Sequence, residues 1–266
     1  MLSSPRIVTI DIETAPVQAW VWGLFDQNVG LNQIAFDWTI LSVSWKWIGE
    51  DEVHYADCRG DPRNDAHLLC IIWQILDEAD FVIGQNVKKF DVRKINARLI
   101  ECDFLPYSPI KVIDTQRQAK AAGMFTSNKL EYLSRALTDT PKSKHGKYPG
   151  FELWNGVLRD EVEAWDEMKE YNEQDVRATE ALYFKLRPWD KTHPSVAPHM
   201  DAVRDVFDRI LSRCTRCGST DLIRKGPRRT TAGLYQRLLC KGCGGWLTTR
   251  YTENTADERR AMLSST

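Results

Sequence analysis

The sequence predicts an α/β protein in which helices flank a mixed sheet, followed by a small cysteine-rich domain. Apolar runs of strand type come first as a hairpin and then alternate with segments of helical periodicity. This order is typical of a mixed sheet covered by helices on both faces. Near the C-terminus, two Cys-x-x-Cys pairs indicate a separate metal-stabilised domain.

Five strands are predicted in the first half of the chain. Each is a short run rich in β-branched or aromatic residues, which favour extended structure. Gly49-Glu50-Asp51 separates the second run from the third and predicts a hairpin turn. The predicted strands are Arg6–Thr14, Thr39–Ile48, Glu52–Ala56, Phe81–Gly84 and Lys111–Ile113.

Helices are predicted where apolar residues recur three and four positions apart. The predicted helices are Ala66–Leu76, Lys88–Cys102, a segment after Asp114-Thr115, the region of Leu130–Leu137, Arg159–Glu170 and Asn172–Leu186. Between the first two strands, Pro16–Phe36 predicts a loop or short helix that packs over the site. The basic, turn-rich run Lys142–Lys147 predicts a mobile loop near the substrate.

Prolines and composition divide the 266 residues into four parts. Pro188, Pro194 and Pro198 mark the exit from the α/β body. We predict a main domain over 1–190, a linker with a short helix over 191–212 (the helix near Pro198–Ser212), a cysteine-rich domain over 213–252 and a tail over 253–266.

Charge is distributed unevenly along the chain. Arg209–Arg250 holds ten basic residues and one acid, Asp221, so this segment is +9 while the whole chain is −1. An acidic body with a basic appendage favours nucleic acid as a partner, although a solvated basic face would look the same. The chain contains no run of about 18 uncharged apolar residues and no apolar leader, so we expect a cytoplasmic protein without a membrane partner.

Asp11 and Glu13 end the first predicted strand. A spacing of two puts both carboxylates on one face of a strand, opposite Val8, Ile10 and Ile12. Adjacent carboxylates repel each other unless a cation of high charge lies between them. The pair therefore predicts a site for a divalent metal.

Two further acids lie at positions suited to join this pair. Asp91 follows a strand-to-helix turn, where a carboxylate also serves as a simple helix cap. Tyr171 and Asp175 are four residues apart and share one helix face, which by itself is also compatible with a solvated surface.

Taken together, Asp11-Ile-Glu-Thr14, Asn86-x-x-x-Phe90-Asp91 and Tyr171-Asn-x-x-Asp175 resemble three sequence motifs of a known nuclease family. They are similar, in the same order over about residues 5–187, to the exonuclease motifs of the DEDDy 3′–5′ exonucleases. These enzymes belong to the DnaQ-like branch of the ribonuclease H-like superfamily. Within it, the proofreading domain of family B DNA polymerases is the most similar.

The resemblance implies a function for each motif residue. Asp11, Glu13, Asp91 and Asp175 would hold two Mg²⁺ or Mn²⁺ ions, which suit an all-oxygen site. Tyr171 would position the attacking water, and Thr14, Asn86 and Phe90 would contact the terminal nucleotide. The implied fold is a mixed sheet of about five strands with flanking helices.

Cys214, Cys217, Cys240 and Cys243 form two pairs separated by 22 residues. Four thiolates with this spacing predict a zinc ribbon with one structural Zn²⁺, whose strands are expected near Leu222–Arg224, Tyr235–Leu239 and Trp246–Arg250. We expect the phosphate-contacting residues to be Arg224, Lys225, Arg228 and Arg229, with Tyr235 and Trp246 able to stack on bases. The alternatives are aromatics that fill a small core with arginines that only aid solubility, and a surface that docks a protein.

The predicted function is a metal-dependent 3′–5′ exonuclease that prefers single-stranded DNA and releases 5′-mononucleotides by a two-metal mechanism. DNA is favoured over RNA, and a replication or repair protein is a candidate partner. Two alternatives stay open: a nucleic-acid-binding adaptor with an inactive body, and a structure-specific endonuclease on the same core.

Overall fold

A computed structural model describes residues 4–143, 146–231 and 233–262. The chain divides into two compact units, of which the larger is Arg6–Lys185. The second unit combines Met1–Pro5 with Leu186–Thr266. Each unit is described by itself.

Seven strands and six helices form in the main part of the chain described by the structure. The strands are β1 (Ile7–Thr14), β2 (Gln18–Ala19), β3 (Ile34–Phe36), β4 (Ile40–Trp47), β5 (His54–Asp57), β6 (Phe81–Gly84) and β7 (Lys111–Asp114). The helices are α1 (Ala66–Glu78), α2 (Asp91–Glu101), α3 (Thr115–Ala122), α4 (Leu130–Leu137), α5 (Glu152–Leu158) and α6 (Val162–Leu186).

The main sheet has the strand order β5-β4-β1-β6-β7. β1 is its central strand, antiparallel to β4 and parallel to β6. The sheet is therefore mixed and flanked by helices, which confirms the predicted fold class. Val8, Ile10 and Ile12 are each no more than 3% exposed, so the apolar face of β1 lies in the core, as its alternation predicts.

The end of the main unit differs from its prediction. The two helices predicted at Arg159–Glu170 and Asn172–Leu186 are one continuous helix, α6, because no glycine or proline interrupts this segment. The additional helix α5 precedes it. The two are separated at Asp160, whose φ of 58° is incompatible with a continuing right-handed helix.

The segment after β1 also differs from its prediction. Pro16–Phe36 contains the short β2–β3 pair and a 3₁₀ turn at Leu31–Gln33. Its aromatic side chains are exposed rather than packed over the site, and Trp22 is 99% exposed.

The described residues of the second unit form a three-stranded antiparallel sheet in the order β10-β9-β8 and an α-helix. Its elements are β8 (Leu222–Thr230), β9 (Gly233–Cys240), β10 (Trp246–Thr248) and α7 (Ala256–Ala261). A register shift between Arg224 and Pro227 interrupts the β8–β9 ladder, where Pro227 has no N–H to donate.

The short helix predicted near Pro198–Ser212 does not form. This segment contains a 3₁₀ turn at Ala197–His199 and an isolated bridge between Arg204 and Ile210. The Asp205 carboxylate accepts hydrogen bonds from the backbone N–H groups of Phe207 (2.9 Å) and Arg209 (3.0 Å). Such local bonds stabilise a turn in place of helical hydrogen bonds.

Within the described residues, no helix combines the length and the apolar character that crossing a membrane requires.

Gly84 allows the turn after β6 to pass close to β1. A Cβ atom built on Gly84 would lie 2.6 Å from Val87 Cβ and 3.1 Å from the Ile10 carbonyl oxygen. Neither atom is at the end of a flexible side chain, so a larger residue would force the backbone apart.

We predict that Gly84→Ala lowers the free energy of unfolding by about 1–3 kcal/mol through overpacking. Urea denaturation measures this change. The matched control is Gly123→Ala, because its φ of −171° is extended and the nearest atoms to an added Cβ are 3.7 Å away. Equal stability of the two variants would contradict the prediction.

Candidate functional site

β1 and its neighbour β4 form the floor of the candidate site. Asp11 and Glu13 pair with Ser44 and Ser42 of β4, and directly paired residues share one face of the sheet. Both serines are fully buried and small. The acidic face therefore has room for a helix to pack closely above it.

α6 is that helix, and Asn172 attaches it to the sheet. The Asn172 side chain is fully buried, and its Nδ2 donates to Asp11 Oδ2 at 2.6 Å and to the Asp11 carbonyl oxygen at 3.2 Å. Its Oδ1 accepts a hydrogen bond from Ser42 Oγ at 3.1 Å. Since Asp175 lies one helical turn further on, these bonds also fix its position.

The structure brings three of the four predicted acids into one group. Asp11, Glu13 and Asp175 each offer a carboxylate oxygen, and these oxygens all lie within 4.8 Å of one another. One carboxylate oxygen from each residue could therefore bind the same cation.

Asp91, the fourth acid, is not part of that group but lies beside it. It is the first residue of α2 and is 3% exposed. Asp91 Oδ1 accepts a hydrogen bond from Ile12 N at 3.2 Å, between the two acids of β1. The parallel ladder with β6 ends at Thr9. The backbone N–H of Ile12, beyond that ladder, is therefore available to donate to the Asp91 side chain.

Tyr171 lies at the same site, with a neighbour that the motifs do not include. Lys142 Nζ donates to Tyr171 Oη at 2.6 Å and forms an ion pair with Asp175. Lys142 was missed as an individual site residue, although it begins the basic loop predicted near the substrate. Lys144 and His145 of that loop lie outside the described residues.

Burial and repulsion both favour the protonated forms of the acids. Burial, followed by the charge of Asp175, raises the pKa of Asp11 well above its ordinary value and the pKa of Glu13 to about 8. Burial raises the pKa of Asp91 to about 7, although backbone hydrogen bonds oppose the shift. A bound cation would remove this penalty by stabilising the charged carboxylates.

Lys142 and Tyr171 are also shifted. Burial would lower the pKa of Lys142, but the charges and hydrogen bonds of Asp175 and Tyr171 together outweigh burial, and the pKa is raised. Burial raises the pKa of Tyr171 to about 12, with Lys142 opposing that shift. Tyr171 is therefore a neutral phenol near pH 7, and Lys142 is a cation next to the acids.

The predicted nucleotide-contacting residues lie at the ends of the elements that carry the acids. Thr14 ends β1, and Phe90 immediately precedes α2 and is 40% exposed. Asn86 has a φ of 61°, a conformation that asparagine tolerates better than most residues. Its N–H donates to Asp114 Oδ1 at 3.2 Å, and this carboxylate holds the turn that leads to Asp91.

Thr14 also borders an aromatic cavity that sequence reasoning missed. The cavity has a volume of about 330 Å³ and is lined in part by Trp38, Phe151 and Trp154. Trp154 contacts Tyr171 edge-on, with ring centroids 6.2 Å apart. Trp38 is more than 100 residues before Phe151 and Trp154 in sequence, so no local pattern could have grouped all three.

The second unit brings all four cysteines of the predicted zinc site together. Their sulfurs lie within 4.8 Å of one another. Cys214 Sγ lies 3.6 Å from Cys243 Sγ, and Cys217 Sγ lies 3.6 Å from Cys240 Sγ. A tetrahedral zinc with bonds of about 2.3 Å separates its sulfurs by about 3.8 Å, so the cluster fits Zn²⁺.

The four basic residues predicted to contact phosphates lie on β8 and are exposed. They are Arg224, Lys225, Arg228 and Arg229. Of the aromatics considered with them, Trp246 is 50% exposed, so it does not serve solely to fill the core of the ribbon.

Comparisons with known proteins agree with this fold. A family model described as the RNase H superfamily matches residues 36–187, a range that includes Asp91, Tyr171 and Asp175 and begins after Asp11 and Glu13. A search of curated proteins found no match.

One solved structure similar to this chain is the family B DNA polymerase from the hyperthermophilic archaeon Pyrobaculum calidifontis. The similarity has a TM-score of 0.48 with 14% sequence identity, and it covers 69% of this chain but 25% of the polymerase chain.

The family match spans more than half of the sequence and includes four of the five strands of the main sheet (β4–β7) together with α6. The chain belongs to the RNase H superfamily, whose members are typically nucleases.

Proposed function

We propose that this protein is a metal-dependent 3′–5′ exonuclease that hydrolyses single-stranded nucleic acid, DNA in preference to RNA, and releases 5′-mononucleotides. The observation that carries the proposal is the convergence of Asp11, Glu13 and Asp175, with their oxygens within 4.8 Å of one another, in a chain of the RNase H superfamily. Asp91 and Tyr171 adjoin this group.

The oxygen atoms that the acidic group offers as metal ligands fit hard divalent cations. All are carboxylate oxygens, which Mg²⁺ and Mn²⁺ prefer. The ammonium group of Lys142 already lies against Asp175, which indicates that positive charge is favourable at this point. Asp11, Glu13 and Asp175 would hold the cations, with Asp91 as the fourth proposed ligand. Two bound cations would activate a water molecule and neutralise the leaving 3′ oxygen.

The other residues at the site would position the reacting groups. Asn172 holds the Asp11 carboxylate through its short hydrogen bond and so limits the directions in which Asp11 can bind a cation. Tyr171, with a pKa of about 12, is too weakly acidic to exchange its proton near pH 7 and would orient the water by hydrogen bonding. Lys142 fixes the Tyr171 hydroxyl.

Incubation with labelled substrates tests the proposal directly. 5′-Labelled single-stranded and double-stranded DNA and RNA are incubated with Mg²⁺, Mn²⁺ or a chelator. A ladder that shortens by single nucleotides from the 3′ end, fastest on single-stranded DNA, supports the proposal. Internal cuts would favour the endonuclease alternative, and binding without cleavage would favour the inactive adaptor.

We predict that Asp11→Asn lowers kcat by more than about 1,000-fold, because it removes a negatively charged metal ligand from the reacting centre. Tyr171→Phe should lower kcat by about 10- to 100-fold, since only a hydrogen bond that orients water is lost. The steady-state rate of mononucleotide release measures both.

The matched control is Glu173→Gln. This acid lies on the same helix but forms ion pairs with Lys169 and Arg177 along its surface. It should keep the activity of the parent protein. Equal losses in Asp11→Asn and Tyr171→Phe would show instead that the phenol transfers the proton.

The raised carboxyl pKa values predict a pH-dependent stability when no divalent cation is bound to the acids. The folded state holds the protons of Glu13 and Asp91 up to pH values of about 8 and about 7, whereas the unfolded chain releases them near pH 4. The melting temperature in buffer without Mg²⁺ or Mn²⁺ should therefore fall as pH rises from about 4 to about 8.

Added Mn²⁺ should raise the melting temperature more at pH 8 than at pH 5.5, because cations compete with protons for the same oxygens. Asp11→Asn should show a flatter pH dependence and a smaller Mn²⁺ effect. If the parent and this variant respond alike to pH and to Mn²⁺, the acids do not form the proposed metal site.

The cysteine cluster yields a prediction about folding. The purified protein should contain one zinc per chain, and Cys240→Ser should lose it because the remaining sulfurs do not complete a tetrahedral site. Without zinc, β8–β10 should become sensitive to proteolysis, since a core this small depends on its metal. Elemental analysis and limited proteolysis measure both effects, and a zinc-free parent with a protease-resistant ribbon would contradict the prediction.

A further inference from the structure

The second unit contains a cavity of about 540 Å³ on the ribbon sheet. We propose that this cavity binds single-stranded nucleic acid, with bases stacked on Trp189 and Trp246 and phosphates paired with Lys191, Arg228 and Arg237. The proposal rests on the proposed nuclease function for the choice of polymer, but it assigns a binding site outside the acidic centre.

Two indole rings line the cavity and remain accessible. Trp189 is 69% exposed and Trp246 is 50% exposed. Leaving rings of this size in water forgoes favourable burial, so an occupant that covers them would gain stability. A nucleobase presents a flat π face to an indole, and such stacking does not depend on base identity.

The cavity is also strongly cationic. Lys191, Arg228 and Arg237 line it, and among the described residues none of the three forms an ion pair with an acid. Arg237 is held in place because its Nη2 donates to the Lys225 carbonyl oxygen at 2.9 Å, and its guanidinium lies 5.3 Å from the centroid of the Trp246 ring. Cations beside exposed aromatic rings are the arrangement that follows the backbone and bases of a single strand.

A buried arginine joins the two indole-bearing segments. Arg216 is 8% exposed, and its Nε donates to the Asp190 carbonyl oxygen at 2.7 Å, next to Trp189. Its Nη1 donates to the Trp246 carbonyl oxygen at 3.1 Å. A Cβ atom at Gly245 would lie 2.3 Å from that Nη1, so a larger residue there would displace the guanidinium group from its present position. Arg216 is therefore a positioning residue that sets the separation of the two rings.

Single-stranded nucleic acid fits these features better than the other polyanions. The bases of a duplex are stacked on each other, so they cannot also cover the indoles. An acidic peptide would satisfy the cations, but acidic side chains offer no flat face to either ring. Of the basic residues predicted from sequence, Arg228 lines this cavity, whereas Lys191 and Arg237 were not predicted.

The test is a binding titration of the full chain with fluorescein-labelled oligothymidylate and no added Mg²⁺ or Mn²⁺. The Asp11→Asn background prevents cleavage. Trp189→Ala and Trp246→Ala should each weaken binding by about 5- to 150-fold, the effect of losing one stacked base. Tyr251→Ala is the matched control, because Tyr251 is 82% exposed in the same unit but does not line the cavity.

The cationic contribution is measured by the salt dependence of binding. Arg228→Ala should reduce the slope of log K against log salt by about 0.7, as expected for one phosphate contact on a single strand. Arg259→Ala removes the same charge from α7, which does not line the cavity, and should leave the slope unchanged.

An abasic oligomer of equal length separates stacking from charge. It should bind more weakly than oligothymidylate, and its affinity should not depend on either tryptophan. Equal binding of the two oligomers, or parental affinity in both tryptophan variants, would overturn the proposal. Polyglutamate binding with the same tryptophan dependence would also overturn it and would favour an acidic protein partner.

Two controls keep this result separate from folding and from the nuclease proposal. Trp246→Phe keeps an aromatic ring, so it should retain most of the affinity that Trp246→Ala loses. Trp189 is distant in sequence from the cysteines, so its replacement separates a loss of stacking from a loss of folding at the cysteine site. Hydrolysis of the p-nitrophenyl ester of thymidine 5′-monophosphate, which is too small to occupy both sites, reports on the acidic centre alone in the protein with Asp11 intact. A parent protein that binds oligothymidylate through the tryptophans but hydrolyses no substrate would refute the nuclease proposal while supporting this one.

Discussion

Mutual repulsion among partly or fully buried carboxylates is the constraint on which the main unit depends. Asp11, Glu13 and Asp175 lie close together in surroundings that penalise their charged forms, and this arrangement is unfavourable without a cation. The fold maintains it by fixing the backbone around the acids. Asn172 bonds α6 to β1 and β4, and Asp91 bonds α2 to β1. An electrostatically strained group held by a rigid sheet is suited to bind hard cations, as we propose.

In the second unit, the proposed zinc would take the place of a large apolar core. Its sheet has three strands and few buried apolar side chains, and four cysteine sulfurs converge at its base. Metal-stabilised domains can leave large aromatic side chains on the surface because the metal supplies folding free energy that a core would otherwise supply. In this unit, Trp189 and Trp246 are accessible, and the buried Arg216 fixes the segments that carry them. The proposed zinc would make such exposed aromatic side chains compatible with a stable small domain.

Local patterns accounted for much of the secondary structure and failed at specific points. The Phe81–Gly84 strand has the predicted limits, because a short apolar run between turn residues leaves little choice. The helix break predicted near Tyr171 was wrong, because no glycine or proline lies there and α6 continues through this position. The helix predicted near Pro198–Ser212 failed because Asp205 forms local turn hydrogen bonds.

The amino-acid order alone predicts the alternation that puts Asp11 and Glu13 on one strand face, the two Cys-x-x-Cys pairs and the mixed α/β class. Each of these depends on spacing within a few residues or on the order of elements. Which distant groups meet became known from the packing of the folded chain. Lys142 lies at Tyr171 and Asp175, Asn172 reaches Asp11, and Trp189 shares a cavity with Trp246. Contacts of this kind depend on how elements pack across the fold, and no local spacing encodes them.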